Sequence, residues 1–109
     1  IFIGDSDAPE IDSRNVCIFA EGEVDRCPTG SGVSGRMAIH KTRSEIDFGE
    51  TMSIESITGS VFIGSVVREE EYGSFKAVIP QVEGNAHITG VHTFCIDPND
   101  PMKNGFILR

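Results

Sequence analysis

The sequence predicts an α+β domain with one helix beside several strands. Residues 32–43 place apolar side chains at helical spacing, and they contain the only such pattern in the chain. After Asp47 the texture changes to β-branched residues punctuated by glycine, which is typical of antiparallel strands. One helix followed by runs of strands favours an α+β arrangement over alternating β-α-β units.

The predicted helix runs from Gly32 to Arg43. Val33, Met37 and Ile39 follow one another at i, i+4 and i+6 and mark its apolar face. Basic residues toward its end suit the partial negative charge of a helix C-terminus. These residues are Arg36, Lys41 and Arg43. The candidate N-caps are Thr29, Ser31 and Ser34.

Strands are expected on both sides of this helix. Asp5–Arg14 reads as a polar loop, and Val16–Ala20 as one buried strand. About four strands are expected after Asp47, with REEEYG as a polar connection between two of them. The segments that carry them are MSIESITGSVFIGSVV, SFKAVIPQVEG and NAHITGVHTFCID, and the Pro-rich tail DPNDPMKNGFILR is expected to end in a further short strand.

The totals limit the classes of function. The chain has 109 residues and a formal net charge of −8, so we expect one domain at most and no general attraction to nucleic acid or anionic lipid. No apolar run approaches the roughly 20 residues that span a bilayer, and no signal-peptide pattern is present. The first residue is Ile1 and the chain opens on the apolar run IFIGD, which predicts a fragment.

The cysteines and histidines give no metal-binding pattern. Three cysteines without C-x-x-C spacing indicate neither a disulfide framework nor a zinc site, and they fit a reducing cytoplasm. Cys17 and Cys95 fall in predicted strands and are expected in the core. His40, His87 and His92 form no tight ligand motif, so no metal or other cofactor is expected.

The loop before the helix contains a glycine motif, GSGVSG, from Gly30 to Gly35. This G-x-G-x-x-G pattern is one that dinucleotide-binding sites use, and Asp47 or Glu50 follows at a suitable distance along the sequence to bind the ribose. However, DRCPT separates the strand from the first glycine, and no second helix follows. A Walker loop is excluded more firmly, because no Lys-Ser or Lys-Thr pair closes the glycines.

The loop nevertheless has the chemistry of an anion site. Free N–H groups at a helix start, with glycines that allow close approach, bind a phosphate or a carboxylate equally well. Asp25, just upstream, can hold a cation, so a zwitterionic amino or imino acid would satisfy both groups. The same glycines and serines also suit ordinary helix capping, and composition alone favours that explanation.

Several segments resemble the C-terminal half of the proline racemase family, which also contains hydroxyproline 2-epimerases and trans-3-hydroxy-L-proline dehydratases. They are NVCIFAEGEVDRCPTGSGVSGRMA, TGSVFIG, AVIPQVEGNAHITG and DPNDPMKNGFILR. The resemblance implies a fold similar to diaminopimelate epimerase, with two halves, each a curved and mostly antiparallel sheet around a central helix. Residues 1–109 are then expected to cover most of the C-terminal half, with the N-terminal half absent and the substrate bound between the two.

The family pattern Asp-Arg-Ser-Pro-Cys-Gly-Thr-Gly has Thr29 in place of its catalytic cysteine here. Racemisation needs a proton carrier on each face of Cα, and a threonine hydroxyl is a poor two-way carrier at neutral pH. The substitution resembles trans-3-hydroxy-L-proline dehydratases, in which the cysteine of the other half removes the Cα proton and the 3-hydroxyl leaves. The product enamine becomes Δ1-pyrroline-2-carboxylate.

The resemblance also assigns roles to the other residues of the loop. Asp25 would bind the ring ammonium, the N–H groups of Gly30 and Ser31 the substrate carboxylate, and Thr29 the departing 3-hydroxyl. Cys27 stands where the family has Ser and is expected to be an inert thiol. The alternatives are a proline racemase, a 4-hydroxyproline 2-epimerase and a non-catalytic amino-acid-binding member. The isolated chain is expected to be inactive, and a homodimer is left open.

Overall fold

The computed structural model describes residues 1–107, with one helix and seven strands in that range. The elements in chain order are β1 (Phe2–Gly4), β2 (Ser13–Val16), β3 (Ile18–Phe19), β4 (Glu23–Val24), α1 (Gly30–Thr42), β5 (Thr51–Glu55), β6 (Val61–Tyr72) and β7 (Phe75–Gly84). The predicted α+β class, with a mostly antiparallel sheet beside one helix, is confirmed.

The main sheet has five strands in the order β1-β2-β5-β6-β7. Every neighbouring pair in it is antiparallel except β2 and β5, which are parallel. The small β3–β4 hairpin and helix α1 lie between β2 and β5 in the chain. The loop that precedes α1 is therefore part of a crossover between two neighbouring strands of the sheet.

The core lies between α1 and the sheet. Val33 and Met37 of the helix are fully buried against Ile54 and Val66, as their spacing predicts. Gly64 of β6 allows this close packing, because a Cβ atom there would lie 2.9 Å from both Met37 Sδ and Val33 Cγ1. The helix is thus held against the sheet by interlocking side chains that leave no space for an added methyl group.

The helix differs from its prediction at both ends and in two of its residues. It begins at Gly30 and ends at Thr42. Ile39, predicted on the apolar face, is 50% exposed. Arg36 was expected to serve the C-terminal end, but it is only 4% exposed and lies on the buried face. That face is partly polar, because Ser13 and Asn15 of β2 point toward the same guanidinium.

The predicted strand Val16–Ala20 has the wrong bounds. Strand β2 ends at Val16, β3 covers only Ile18–Phe19, and Ala20 turns the chain with a φ of 46°. Ser13 begins β2 although it was expected in a loop. The reason is that the buried residues of β2 are polar, so no alternation of apolar side chains marks it.

The polar connection expected at REEEYG is wrong, because β6 continues through it. Glu70 and Glu71 pair with Ala77 and Lys76 of β7, and the turn comes only at Gly73, where φ is 62°. A two-residue turn with a positive φ at its first position suits the twist of an antiparallel hairpin. The hairpin is therefore longer than its hydrophobic pattern indicates.

The two strands expected after β7 are also wrong within the described residues. Residues 85–107 contain no strand, and their large apolar side chains are exposed, from 61% at Met102 to 94% at Ile88. Cys95, expected in the core, is exposed as well. A strand needs a neighbour, and residues 1–84 pair with none of this segment. The last part of the predicted terminal strand, residues 108–109, lies outside the described residues.

No helix within residues 1–107 is long and apolar enough to cross a membrane.

Candidate active site

The loop between β4 and α1, residues 25–29, is held by hydrogen bonds from distant parts of the chain. The carbonyl oxygen of Arg26 accepts bonds from the hydroxyl groups of Ser56, Thr58 and Ser60, at 2.7, 2.5 and 2.6 Å. All three hydroxyls belong to the segment between β5 and β6. This loop is therefore anchored to the sheet at its second residue.

A second anchor lies at Pro28. Asn15 of β2 is 2% exposed, and its Nδ2 donates to the Pro28 carbonyl oxygen at 2.8 Å. The Asn15 Oδ1 in turn accepts from Arg36 Nη1 at 3.2 Å. Carbonyl groups before and after Cys27 are thus both fixed, which determines the path of the loop into the helix.

Thr29 has an unusual backbone conformation, with φ 71° and ψ 110°. A positive φ is a genuine outlier for a β-branched residue and costs on the order of 1–3 kcal/mol. Its Oγ1 donates to Asp25 Oδ2 at 2.6 Å. The side chain is therefore turned back toward Asp25. Thr29 occupies the N-cap position, as predicted, but its side chain makes no cap bond.

The other two candidate caps lie inside the helix. Ser31 is in its first turn, and the Ser34 Oγ donates to the Gly30 carbonyl oxygen at 2.8 Å. The first bond along the helix is from the Val33 N–H to the Thr29 carbonyl oxygen, at 2.9 Å. The N–H groups of Gly30 and Ser31 come before it and have no acceptor within the helix. They are available to an anion, and α1 carries no acidic residue in its first turn.

Asp25 is half-buried, and its bond to Thr29 engages one carboxylate oxygen, which leaves Oδ1 for a cation. Asp25 and Cys27 also line an open cavity of about 760 Å³. Its other walls come from Arg26 and from residues 58–62 and 85–87. Thr29 does not line this cavity. The cavity lies beside the loop and does not include the start of the helix. The arrangement offers a carboxylate beside free backbone N–H groups, the combination that a zwitterion needs.

The thiols near the loop differ in their surroundings. Cys17 lies between β2 and β3, half-buried, instead of within a strand. Its Sγ is so close to the helix that a Cβ atom on Gly32 would lie 2.7 Å from it. Cys27 is half-buried on the loop itself. The close packing of Cys17 therefore accounts for a glycine at position 32, without any need for a dinucleotide site.

Within residues 1–107, the structure shows no group of three or more His, Cys, Asp or Glu side chains that could hold a metal ion. His40 is paired through Nδ1 with Glu45 Oε2 at 2.6 Å. His87 and His92 lie in the exposed segment after β7.

The four residues that the sequence singled out are together in the structure. Asp25 and Thr29 are hydrogen-bonded, and Gly30 and Ser31 begin the helix directly after them. Sequence reasoning missed the groups that hold this loop, above all Asn15 and Arg36. A signal for Arg36 existed, because it lies three residues after Val33 and therefore shares its face.

Comparison with known proteins identifies one family over the described residues. Residues 1–107 match the family model described as proline racemase. The chain is 50% identical, over all of its 109 residues, to a trans-3-hydroxy-L-proline dehydratase from Colwellia psychrerythraea, of which it covers 31%. It is 45% identical over 101 residues to a proline racemase from Clostridioides difficile, covering 93% of this chain and 30% of that one.

A solved structure agrees with these sequence matches. The crystal structure of a hydroxyproline epimerase from Agrobacterium vitis, with bound trans-4-hydroxy-L-proline, superposes with a TM-score of 0.75 at 29% identity. The match covers 97% of this chain and 30% of that one. The chain thus spans about a third of the length of these relatives. The names of these three relatives give three different reactions: a dehydration, a racemisation and an epimerisation.

Proposed function

This chain belongs to the proline racemase family, and we propose that it forms most of the C-terminal half of a trans-3-hydroxy-L-proline dehydratase. The observation that carries the proposal is the bond from Thr29 Oγ1 to Asp25 Oδ2, at 2.6 Å. A hydroxyl is present where the racemases carry a thiol, and its proton is directed to a carboxylate. This half then supplies binding groups but no second base for Cα.

The substrate would be held by both of its charges. Its ring ammonium pairs with Asp25 Oδ1, and its carboxylate accepts bonds from the N–H groups of Gly30 and Ser31. The start of α1 adds roughly half a positive charge from the helix dipole. These contacts also stabilise the negative charge that develops as the Cα proton is removed, because the donors are already in place.

Dehydration needs one base and one leaving group. A cysteine from the N-terminal half would take the Cα proton while the electrons of that bond form a double bond to C3 and the C3–O bond breaks. The hydroxyl leaves as water with a proton from solvent, the cysteine later returns the Cα proton to solvent, and the enamine tautomerises to Δ1-pyrroline-2-carboxylate. Thr29 Oγ1, whose own proton goes to Asp25, accepts a hydrogen bond from the 3-hydroxyl or from the water formed.

The proposal includes the surroundings of the reaction. The N-terminal half of the same protein is the partner, the site of action is the cytoplasm, and no cofactor takes part in the steps above. The base is not among these residues, so the isolated 109-residue chain would show no turnover. Measurable dehydration by that chain alone would contradict the two-half arrangement.

Thr29→Cys in the full-length protein tests the proposed reaction. The wild type is expected to dehydrate trans-3-hydroxy-L-proline and to exchange no Cα deuterium into proline. The variant gains a thiol that can carry a proton both ways, so it is expected to gain Cα exchange and epimerisation and to lose dehydration. Ser34→Cys, which adds a thiol to the same helix, is the matched control. Unchanged dehydration by Thr29→Cys, with no gain of epimerisation, would show that this position does not select the reaction.

An isomerase is the second candidate, because a proline racemase is 45% identical to the chain over 101 residues. In that case the wild type would wash deuterium into Cα of proline or 4-hydroxyproline without loss of water. A non-catalytic member would bind the imino acid and turn over none of these substrates. The same set of assays on the full-length protein separates the three functions.

A further inference from the structure

Arg36 is a buried cation that makes no direct ion pair within the described residues. Its hydrogen-bond partners are side chains of Ser13, Asn15, His40 and Met52. It is 4% exposed, and its Nη2 donates to Ser13 Oγ at 2.9 Å while Nη1 donates to Asn15 Oδ1 at 3.2 Å. His40 Nε2 lies 3.5 Å from Nη2, and the Nδ1 of the same ring pairs with Glu45 Oε2. The Nε of Arg36 is buried with no hydrogen-bond partner in residues 1–107. Burial lowers the pKa of the guanidinium, which is the sign of an unfavourable desolvation.

A chain of hydrogen bonds leads from this cation to the candidate site. Arg36 fixes the orientation of the Asn15 amide by occupying Oδ1, and this directs Nδ2 to the carbonyl oxygen of Pro28 at 2.8 Å. Pro28 is itself fully buried. Its peptide bond to Thr29 is trans and planar, so the Thr29 N–H points away from the carbonyl oxygen that Asn15 holds.

The strain at Thr29 requires such a support. A positive φ at a β-branched residue persists only where the surrounding structure fixes it. The Asn15–Pro28 bond acts on the peptide immediately before Thr29, and Arg36 acts on that bond through the amide. Successive hydrogen bonds in a dry environment also polarise one another, so the guanidinium charge strengthens the donor character of the peptide beyond them.

We propose that Arg36 and Asn15 are positioning residues that hold Thr29 and orient the N–H groups at the start of α1 toward an anionic ligand group. This inference rests on the proposed function, because the anion is the carboxylate of the imino acid. Arg36, whose guanidinium makes no direct ion pair in residues 1–107, then lies at the start of a hydrogen-bonded path to the place where a carboxylate binds.

Two variants of the full-length protein separate this role from a structural one. Asn15→Asp keeps an acceptor for Arg36, and adds a charge that pairs with it, but removes the Nδ2 donor to Pro28. Arg36→Met removes the charge at similar volume, a change that is often tolerated for buried ions. Ser13→Ala is the control, since it removes a partner of the same guanidinium with no bond to Pro28.

The measurements are the melting temperature, kcat/KM on the substrate that the wild type turns over, and the Kd of L-proline, which has both charges but no 3-hydroxyl to lose. We expect Asn15→Asp and Arg36→Met to lower kcat/KM by about 10- to 100-fold and to raise the Kd by about 10-fold. Ser13→Ala is expected to lower the melting temperature and to leave both functional constants within about twofold.

The outcomes decide separately between the two proposals. A folded Asn15→Asp or Arg36→Met protein with the constants of the wild type would overturn the positioning role, whatever reaction the wild type performs. Functional loss in Ser13→Ala equal to that in Asn15→Asp would overturn it as well. A wild type that epimerises would refute the dehydratase, and the contrast among the variants would still test the positioning role. A wild type that neither turns over nor binds L-proline would refute both.

Discussion

Residues 25–29 and residues 85–97 differ in whether the rest of the described chain supplies partners for them. The first segment is a polar loop with no regular structure, and yet two of its carbonyl groups are tied to side chains of the sheet. The second has the apolar and β-branched pattern of a strand, but Ile88 and Val91 are each 94% exposed and nothing in residues 1–84 pairs with them.

The difference shows what orders a segment in this fold. An apolar pattern stabilises a strand only when a neighbouring strand and a covering surface are present. A polar loop can be fixed as firmly as a strand when its backbone groups have partners. The shape of the loop therefore depends on Asn15 and on the hydroxyl cluster of Ser56, Thr58 and Ser60. Substitutions in the two segments should have very different effects.

The largest effect is expected from Asp25→Asn in the full-length protein. The change removes the charge that pairs with the ring ammonium and weakens the acceptor of the Thr29 hydroxyl. We expect kcat/KM to fall by roughly 100- to 1,000-fold. Glu23→Gln makes the same change of charge two residues earlier, on an exposed side chain, and serves as the control. An equal loss in both variants would refute a specific role for Asp25.

Gly64→Ala is expected to destabilise the core that supports the loop. The added Cβ would lie 2.9 Å from Met37 Sδ and Val33 Cγ1, so the free energy of unfolding should fall by about 1–3 kcal/mol. Urea denaturation of the full-length protein measures it. Gly4→Ala places the same methyl group on β1 with nothing within 4 Å, and it should leave stability nearly unchanged. Equal losses would mean that the helix does not pack on β6 as described.

Ser56→Ala tests the anchor at Arg26. Ser56 is 1% exposed, and its hydroxyl also accepts bonds from the N–H groups of Thr58 and Ser60. Loss of these contacts should lower the free energy of unfolding by about 1–2 kcal/mol and raise KM. Ser74→Ala, in the exposed β6–β7 turn, is the control. A Ser56→Ala protein with unchanged KM would show that the loop keeps its shape without this anchor.

The lowered pKa of Glu55 predicts a modest dependence of the free energy of unfolding on pH. A hydrogen bond from Ser6, at 2.6 Å, and then the bond and charge of Arg14 hold the pKa of this carboxyl below its ordinary value, against the effect of burial. Its contribution is therefore present above the pKa of the unfolded carboxyl and is lost as the pH falls through the lower pKa of the folded state. Acid titration of unfolding should show a flatter profile for Glu55→Gln. Identical profiles would contradict this linkage.

The smallest effect is expected from Phe94→Ala in the 109-residue chain. Phe94 is 86% exposed, so the free energy of unfolding should change by less than about 0.5 kcal/mol. Phe62→Ala is the matched comparison, because Phe62 packs against the core and should cost at least about 1 kcal/mol. A large loss from Phe94→Ala in that chain would mean that residues 85–97 pack on the domain after all.

The sequence was sufficient for the parts of the structure that depend on nearby residues. The helix, its apolar residues Val33 and Met37, and the closeness of Asp25 to Thr29 follow from spacing along the chain. The anchors of the loop could not be predicted in the same way, since they join residues that are brought together only by the sheet. The strands after Gly84 were wrong because a strand pattern does not show whether a partner is present.

The hydroxyl cluster also sets an order of events during synthesis. Ser56, Thr58 and Ser60 follow Arg26 by 30, 32 and 34 residues. A growing chain thus contains the whole DRCPTG motif well before the ribosome has made the groups that give it its shape. Closing so long a loop carries an entropic cost that docking of the β5–β6 hairpin must offset. A nascent polypeptide would therefore pass through a period in which the motif is complete in sequence but not yet able to recognise a ligand.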